Sequence, residues 1–400
     1  MKRQISYLLP GWPNYSKEEV QSVSRVLSSN KVNYWTGNEC KNFEREFSEW
    51  SGAKFSIAVA NGTVALDLAL VSLGIGKNDE VIVTPRSFIA SASSVVNLKA
   101  KPIFADVDPF TGNVTAEHIE KKISNKTKAI ICVHLGGLPC EMDEIISLAK
   151  RHDINVIEDC AQAHGATYKG KSVGTIGDVG AWSFCQDKIM STGGEGGMLT
   201  TNNKKLWNKM WSYKDHGKNY DLIMKPTSKK GFRWLHDSFG TNYRMTEMQA
   251  AIGRIQLKKM NNWTKLRIRN AEKIIKTLEK FPKLLNVVET PVYMTHGYYR
   301  VYTSININHL KKSWSVDKII EQINLKGVPC FSGSCPEIYK EKAFSSANLS
   351  PKNRLPNAKF LGETSIAFLC HPNLTLRDLN FMTDSIQDVL EEASCDQVSM

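Results

Sequence analysis

Short apolar runs separated by amphipathic stretches recur along the first half of the chain, at Phe55–Ala60, Val81–Thr84, Pro102–Val107, Lys128–His134, Ile154–Ile157 and Val179–Phe184. Such brief runs without strict alternation predict strands buried on both faces. Between them lie helical patterns: Asn61 through VALDLALVSLG to the stop at Gly74, the small-residue stretch IASASSVV, Glu117–Ile123 and Met142–His152. Strand and helix in alternation predict an α/β fold with a mainly parallel sheet and helices on both faces, with Asp106, His134 and Asp159 along one edge.

The flanking segments read differently. Cys40 to Trp50 is amphipathic and predicts a helix, whereas Lys204 to Lys230 is rich in Lys and Trp with little periodicity and reads as irregular. Thr246 with Gln249 three residues later forms a capping box that opens a long, lysine-rich helix. Beyond it, strands within Tyr299–Ile307, a helix at Val316–Asn324 and a final helix at Leu376–Glu392 predict a second α/β unit, with a frayed tail at ASCDQVSM. The expected division is residues 1–250 and 251–400.

Composition narrows the class. At 400 residues and 42% apolar, the chain can fill a large core. No stretch approaches a membrane span, and Pro10 and Pro13 interrupt the first apolar run, so the expectation is a soluble, cytoplasmic protein without a membrane partner. The nine cysteines are scattered; Cys330 and Cys335 have no matching ligand pair, so no metal site is expected. Lys+Arg 52 against Asp+Glu 40 gives +12, dispersed rather than gathered into a basic block with aromatics. That argues against nucleic acid and suits small anionic ligands.

The candidate chemistry lies in INVIEDCAQAHGATYKGKSVGTIGDVGAWSFCQDKIMSTGGEGGMLTT, Ile154 to Thr201. An acid at a strand end (Asp159), a hydroxyl at the end of the next strand (Ser183), Lys188 four residues past Phe184, and the glycines from Gly193 to Gly197 converge on one pocket in a parallel sheet, where ligands bind at the carboxyl ends of the strands. Pyridoxal phosphate needs such a set: a lysine to link to its aldehyde, an acid to hold its pyridine nitrogen protonated, and hydroxyls and backbone N–H groups for its phosphate. Lys188 precedes the glycines, so this is not a Walker loop. Gly62 and Thr63, at the start of a predicted helix, add N–H groups, a hydroxyl and the positive end of a helix dipole.

The pieces EDCAQAHGA (Glu158–Ala166), WSFCQDK (Trp182–Lys188), GGEGGMLTT (Gly193–Thr201) and GTNYRMTEMQAAIG (Gly240–Gly253) resemble the DegT/DnrJ/StrS-type nucleotide-sugar aminotransferases, a branch of the fold-type-I pyridoxal-phosphate enzymes. The resemblance covers nearly the whole chain and is weakest from Asn308 to Pro356. It implies an enzyme that moves an amino group from an amino acid, glutamate, to a keto group of a nucleotide-linked sugar, for surface polysaccharide or glycoconjugate synthesis. Under it, Lys188 is the catalytic lysine, Asp159 and Gln162 hold the cofactor ring, and Phe88 stacks on the ring face. Gly62, Thr63 and Ser183 hold the phosphate. Asn242 reaches the phosphate of a neighbouring subunit, which implies a homodimer with shared sites, and Trp35, Thr36 and Arg244 face substrate. Dehydratases of the same fold carry His at the lysine position, where this chain has Lys188, and a non-catalytic sugar-nucleotide-binding regulator is the rival from another class. Arg86 departs from the family pattern, which leaves open whether it touches substrate or only starts a helix.

Overall fold

The computed structural model describes residues 8–226 and 231–395. Its centre is a seven-stranded sheet made, in chain order, of β1 (Phe55–Val59), β2 (Glu80–Val83), β3 (Lys101–Phe104), β4 (Thr127–Val133), β5 (Asn155–Asp159), β6 (Val179–Ser183) and β7 (Gly197–Thr201). The spatial order is β1-β7-β6-β5-β4-β2-β3. Six strands run one way and β7 runs against its neighbours β1 and β6, so the sheet is mainly parallel, as the buried apolar runs predict. Helix Gly62–Ser72 packs against β1, β6 and β7 and against helix Ala90–Asn97, which covers β2 and β3, and Met142–Arg151 packs against β5.

Two differences have local causes. The strand β7 lies in a segment that reads as a glycine loop, because Gly196 and Gly197 lead into it and Thr200 and Thr201 close it; pairing on both edges overrides that weak propensity. Within Lys204–Lys230, expected to be irregular, Lys204–Lys214 is a helix started by Asn203, whose side chain accepts from Lys205 N and Leu206 N, and Tyr220–Met224 is a second short one. Residues 227–230 lie outside the described residues. The first helix buries Trp211 and Met210 but carries lysines around most of its surface, which hides the apolar stripe.

The helix Glu247–Leu278 starts at Thr246 with the expected capping box and runs unbroken past residue 250. Its far end reaches a four-stranded antiparallel sheet of β8 (Leu285–Val287), β9 (Val301–Ile305), β10 (Cys330–Phe331) and β11 (Ser365–Phe368), in the order β8-β9-β11-β10. Helices Val316–Leu325 and Leu376–Ala393 cover it. The tail is not frayed at its start: Ser394 bridges Leu310 and Cys395 N donates to His309 O at 2.9 Å, while 396–400 lie outside the described residues. No helix among the described residues is long and apolar enough to cross a membrane.

The end of β5 is fixed by Glu158, which is fully buried. Its carboxylate accepts from Gly174 N (2.8 Å), Ile176 N (2.8 Å) and Gly177 N (2.7 Å) and pairs with His134 Nε2 at 3.0 Å. Burial opposes its charge, but His134 and these N–H groups outweigh burial and hold its pKa below the usual range. His134, Glu158 and Cys160 are close enough to hold a metal ion, yet His134 Nδ1 already accepts from Cys140 N at 3.0 Å and both Glu158 oxygens are engaged. A depressed carboxyl pKa contributes stability above the unfolded value of 4.5 and loses it as pH falls through the folded value. Glu158→Gln should therefore cost about 3 kcal/mol at neutral pH, and its unfolding free energy should fall less than that of wild type between about pH 5 and pH 3. Denaturant titrations across that range measure both effects.

Candidate active site

At the carboxyl ends of the parallel strands lies a cavity of about 490 Å³. Seven of the sequence-predicted residues line it: Gly62, Thr63, Phe88, Asp159, Gln162, Ser183 and Lys188. They come from four places, namely the β1–helix turn, the segment after β2, the end of β5 and the end of β6 with its following turn.

Asp159 is 5% exposed. Its oxygens accept only from neutral donors, Ala161 N at 3.1 Å and Ser91 Oγ at 2.8 Å, and Ser91 is paired in turn with Ser87 at 2.8 Å. Burial pushes the Asp159 carboxyl pKa up, and these donors with the charge of Lys188 only partly offset it. The carboxylate thus faces the cavity without a bonded cation.

Lys188 sits in the turn that leaves β6. Its N donates to Cys185 O at 3.0 Å and its O accepts from Trp12 Nε1 at 2.7 Å, so the backbone is held from both sides. The amine lies 3.7 Å from Asp187 Oδ1 and 4.9 Å from the Tyr299 ring centroid, and Tyr299 donates its phenol proton to Asp187. Gly193 (φ 87°) and Gly194 (φ 122°) turn the chain back toward β7 in conformations that favour glycine.

The helix Gly62–Ser72 begins against Ser183. Asn61 caps it, accepting from Val64 N at 3.0 Å, and the N–H groups of its first turn point outward without intrahelical partners. A methyl on Gly62 would lie 2.6 Å from Ser183 Cβ, so only glycine lets the helix start come this close to the end of β6. Gln162 is anchored, its Oε1 accepting from Gly136 N at 2.8 Å. Phe88 is 68% exposed at the cavity wall.

The other expected residues do not line this cavity. Arg244 Nη1 donates to Asp215 Oδ1 at 2.8 Å, and Lys218 Nζ bonds the same oxygen at 3.0 Å while lying 4.4 Å from the Trp35 ring centroid. Asn242, exposed, bridges Asp215, and Thr36 Oγ1 bonds back to Asn33 O at 3.1 Å. Trp35, Asn242 and Arg244 thus gather around Asp215 as a separate group. Ser91, Asp187, Tyr299 and Trp12 escape the sequence reading. Only Ser91, in the first turn of a small-residue helix and four residues after Ser87, offers a local signal.

The residues present fit pyridoxal phosphate. An uncompensated buried carboxylate suits a protonated pyridine nitrogen, a helix start pressed against a serine suits a phosphate, and a cavity-lining amine suits an aldehyde. Fold and site together define a fold-type-I pyridoxal-phosphate enzyme. Over residues 13–387 the chain matches the model of the DegT/DnrJ/EryC1/StrS aminotransferase family, and it belongs to that family. It is similar to the GDP-perosamine synthase of Caulobacter vibrioides, 44% identical over 350 residues (87% of this chain, 89% of the relative). It is also 40% identical over 245 residues (61% of this chain, 63% of the relative) to the dTDP-3-amino-3,6-dideoxy-alpha-D-galactopyranose transaminase of Aneurinibacillus thermoaerophilus. The X-ray structure of an aminotransferase from Psychrobacter cryohalolentis superposes with a TM-score of 0.95 at 56% identity, covering 96% of this chain and 99% of that one. The chain is accordingly an aminotransferase that uses pyridoxal phosphate.

Gly62→Ala tests the helix start. The added methyl forces the helix away from Ser183 at a cost of about 1–3 kcal/mol, so the cofactor dissociation constant should rise at least about tenfold. Equilibrium dialysis of the folded variant reads that change directly.

Proposed function

We propose that this enzyme moves an amino group from glutamate to the keto carbon of a sugar carried on a nucleoside diphosphate, and that its product supplies surface polysaccharide or another glycoconjugate, such as the O-antigen of lipopolysaccharide. The observation that carries the reading is that Lys188 and Asp159 line one cavity whose wall includes a helix start. Relatives named for GDP-linked and dTDP-linked sugars support a nucleotide-linked substrate, and the +12 charge favours dianionic ligands. We place the reaction in the cytoplasm. Residues 1–250 form the cofactor-holding unit and 251–400 the unit that covers it.

When bound, pyridoxal phosphate supplies an electron sink for the charge left when a proton leaves the carbon beside the amino group. Asp159 keeps the pyridine nitrogen protonated, which maintains that sink. Ser91, donating to Asp159 Oδ2, fixes the carboxylate in direction. Lys188 Nζ would hold the cofactor through its aldehyde in the resting enzyme and, as a free amine, would take and return the proton of the carbon beside the amino group. Asp187 accepts from Tyr299 and lies beside Lys188, so it steadies the amine between transfers. Gly62, Thr63 and Ser183 would bind the phosphate, Gln162 would hold the ring-hydroxyl side, and the flat Phe88 side chain would cover a ring face.

We further infer that the group around Asp215 serves a second copy of the chain: Asn242 completes the phosphate site of the partner, and Trp35, Thr36 and Arg244 meet its sugar substrate. The functional unit is then a homodimer.

Two experiments check these readings. Lys188→Ala should keep the fold and lose transamination by several orders of magnitude when glutamate and a panel of keto-sugar nucleotides are offered and aminated products are read by mass spectrometry. Turnover at roughly a tenth of wild type would remove Lys188 from the mechanism. For the shared site, inactive Lys188→Ala mixed with inactive Asn242→Asp under subunit exchange should regain activity, because hybrid dimers hold one site with both native residues. Demonstrated hybrids without activity would contradict it.

A further inference from the structure

Among the side chains that line the Lys188 cavity, only Lys188 itself is cationic, whereas Asp159, Asp187 and Glu195 all line it as carboxylates. Lys188 is occupied by the transfer chemistry. A donor amino acid with a second carboxylate therefore brings in a charge that this lining repels, unless a cation from outside it reaches that group. Arg300 is such a cation. It follows Tyr299 directly at the entrance to β9, and its Cζ lies 5.2 Å from the Tyr299 ring centroid, against 4.9 Å for Lys188 Nζ, so the two cations share one ring.

Arg300 lines a second cavity, of about 370 Å³, that shares Asp187 with the first. Its guanidinium also lies 4.7 Å from the Phe331 ring centroid. Two flat rings thus hold it, and among the described residues it has no hydrogen bond and no carboxylate within ion-pair distance. Its Nε is buried, but Nη1 and Nη2 are not, so these donors are open to the cavity. The other basic groups there are less available. Arg267 is 2% exposed and its Nη1 already donates to Tyr298 O at 3.1 Å, and burial lowers the His371 pKa to about 4, so that ring is neutral. The one carboxylate, Asp187, is taken: burial opposes its charge, but Lys188, the Tyr299 phenol and Arg300 together outweigh burial and hold its pKa below the usual range.

The cavity is too roomy to select a ligand by size, so charge and position select it. Tyr299 and Asp187 adjoin both cations, and Arg300 lies in the neighbouring cavity. A carboxylate on the reacting carbon stays beside Lys188, and only one carried further out along the donor reaches Arg300. We propose that Arg300 receives the side-chain carboxylate of the donor and thereby selects glutamate over its amide, glutamine, an inference that rests on the amino-acid transfer proposed above. A guanidinium offers a carboxylate two parallel N–H groups, and the pair is charge-assisted. The side-chain amide of glutamine carries no charge and sets its own N–H groups against those donors. With the nucleotide sugar met by the group around Asp215 of a second copy, the two substrates that take turns at Lys188 are read by different cations.

The test uses the cofactor-loaded protein and follows the first half of the reaction by the loss of the bound cofactor's yellow colour. Wild type should react with glutamate at least about tenfold more efficiently than with glutamine, and Arg300→Gln should erase that preference by lowering the glutamate value about 10- to 100-fold. Arg300→Lys, which keeps the charge, should recover part of it. A readout without turnover is calorimetric binding of glutarate, a diacid with no amine to transfer. Its dissociation constant should rise at least about tenfold in Arg300→Gln, while those of GDP and dTDP stay the same. Equal use of glutamate and glutamine by wild type, a measurement that needs no variant to fold, overturns the assignment. So does an Arg300→Gln protein that keeps the preference, or one that loses affinity for the nucleotides instead of glutarate, because the anion read is then the nucleotide's. None of these results touches the aminotransferase reading; if no amino acid bleaches the wild-type protein, that reading fails and this assignment with it.

Discussion

Two adjacent carboxylates are buried at the end of one strand, and the rest of the site depends on how differently they are treated. Side chains alternate along β5, so Glu158 and Asp159 leave the sheet on opposite faces. Glu158 is met by three backbone N–H groups and His134, which consume its charge and lock the following turn. Asp159 is met by one amide and one hydroxyl and keeps its charge facing the cavity. An acid buried without a cation is unfavourable by itself, so the folded chain carries a standing preference for a protonated nitrogen at that spot. The cofactor supplies it.

The same economy explains where the lysine sits. β6 pairs with β5 in register from Ile157 opposite Val179 to Asp159 opposite Ala181, which carries Ser183 and the Lys188 turn past the acid. β7 returns antiparallel beside β6 after a thirteen-residue connection, 184–196, and within it the Lys188 backbone is gripped by Cys185 and Trp12 rather than left in a free loop. The acid, the amine and the helix start at Gly62 are thus placed by strand pairing, while Tyr299 and Ser334, which lie in sequence next to strands of the second sheet, bond to Asp187 and Gln162 of the cavity wall.

Most of this was legible in the sequence because its signals are local. Strands buried on both faces leave unbroken apolar runs, and helix starts leave Asn61 and Thr246 in capping positions. Asp159, Ser183, Lys188, Gly62 and Thr63 were legible for a similar reason, lying at or just past the ends of such runs or at a helix start, whereas Phe88 and Gln162 were legible only through the family resemblance. What stayed hidden is the pairing of distant residues. Ser91 reaches Asp159 across 68 positions and Tyr299 reaches Asp187 across 112, and no spacing announces either. Arg86 belongs to this class too, since its orientation is set by Ser365, 279 positions away. The strand β7 was missed because its glycines read as a loop and only pairing decides it, and the helix Lys204–Lys214 because its lysines mask the short buried stripe of Met210 and Trp211.

The central claim is that Lys188, and no other lysine, anchors the cofactor opposite Asp159. Its most direct test is chemical: reduce the protein as purified with borohydride, which makes the cofactor linkage permanent, then digest it and map the modified residue by mass spectrometry. The account predicts a single phosphopyridoxyl group on the peptide that contains Lys188. Modification of a different lysine, or an unmodified Lys188 peptide in a protein shown to hold the cofactor, would contradict it.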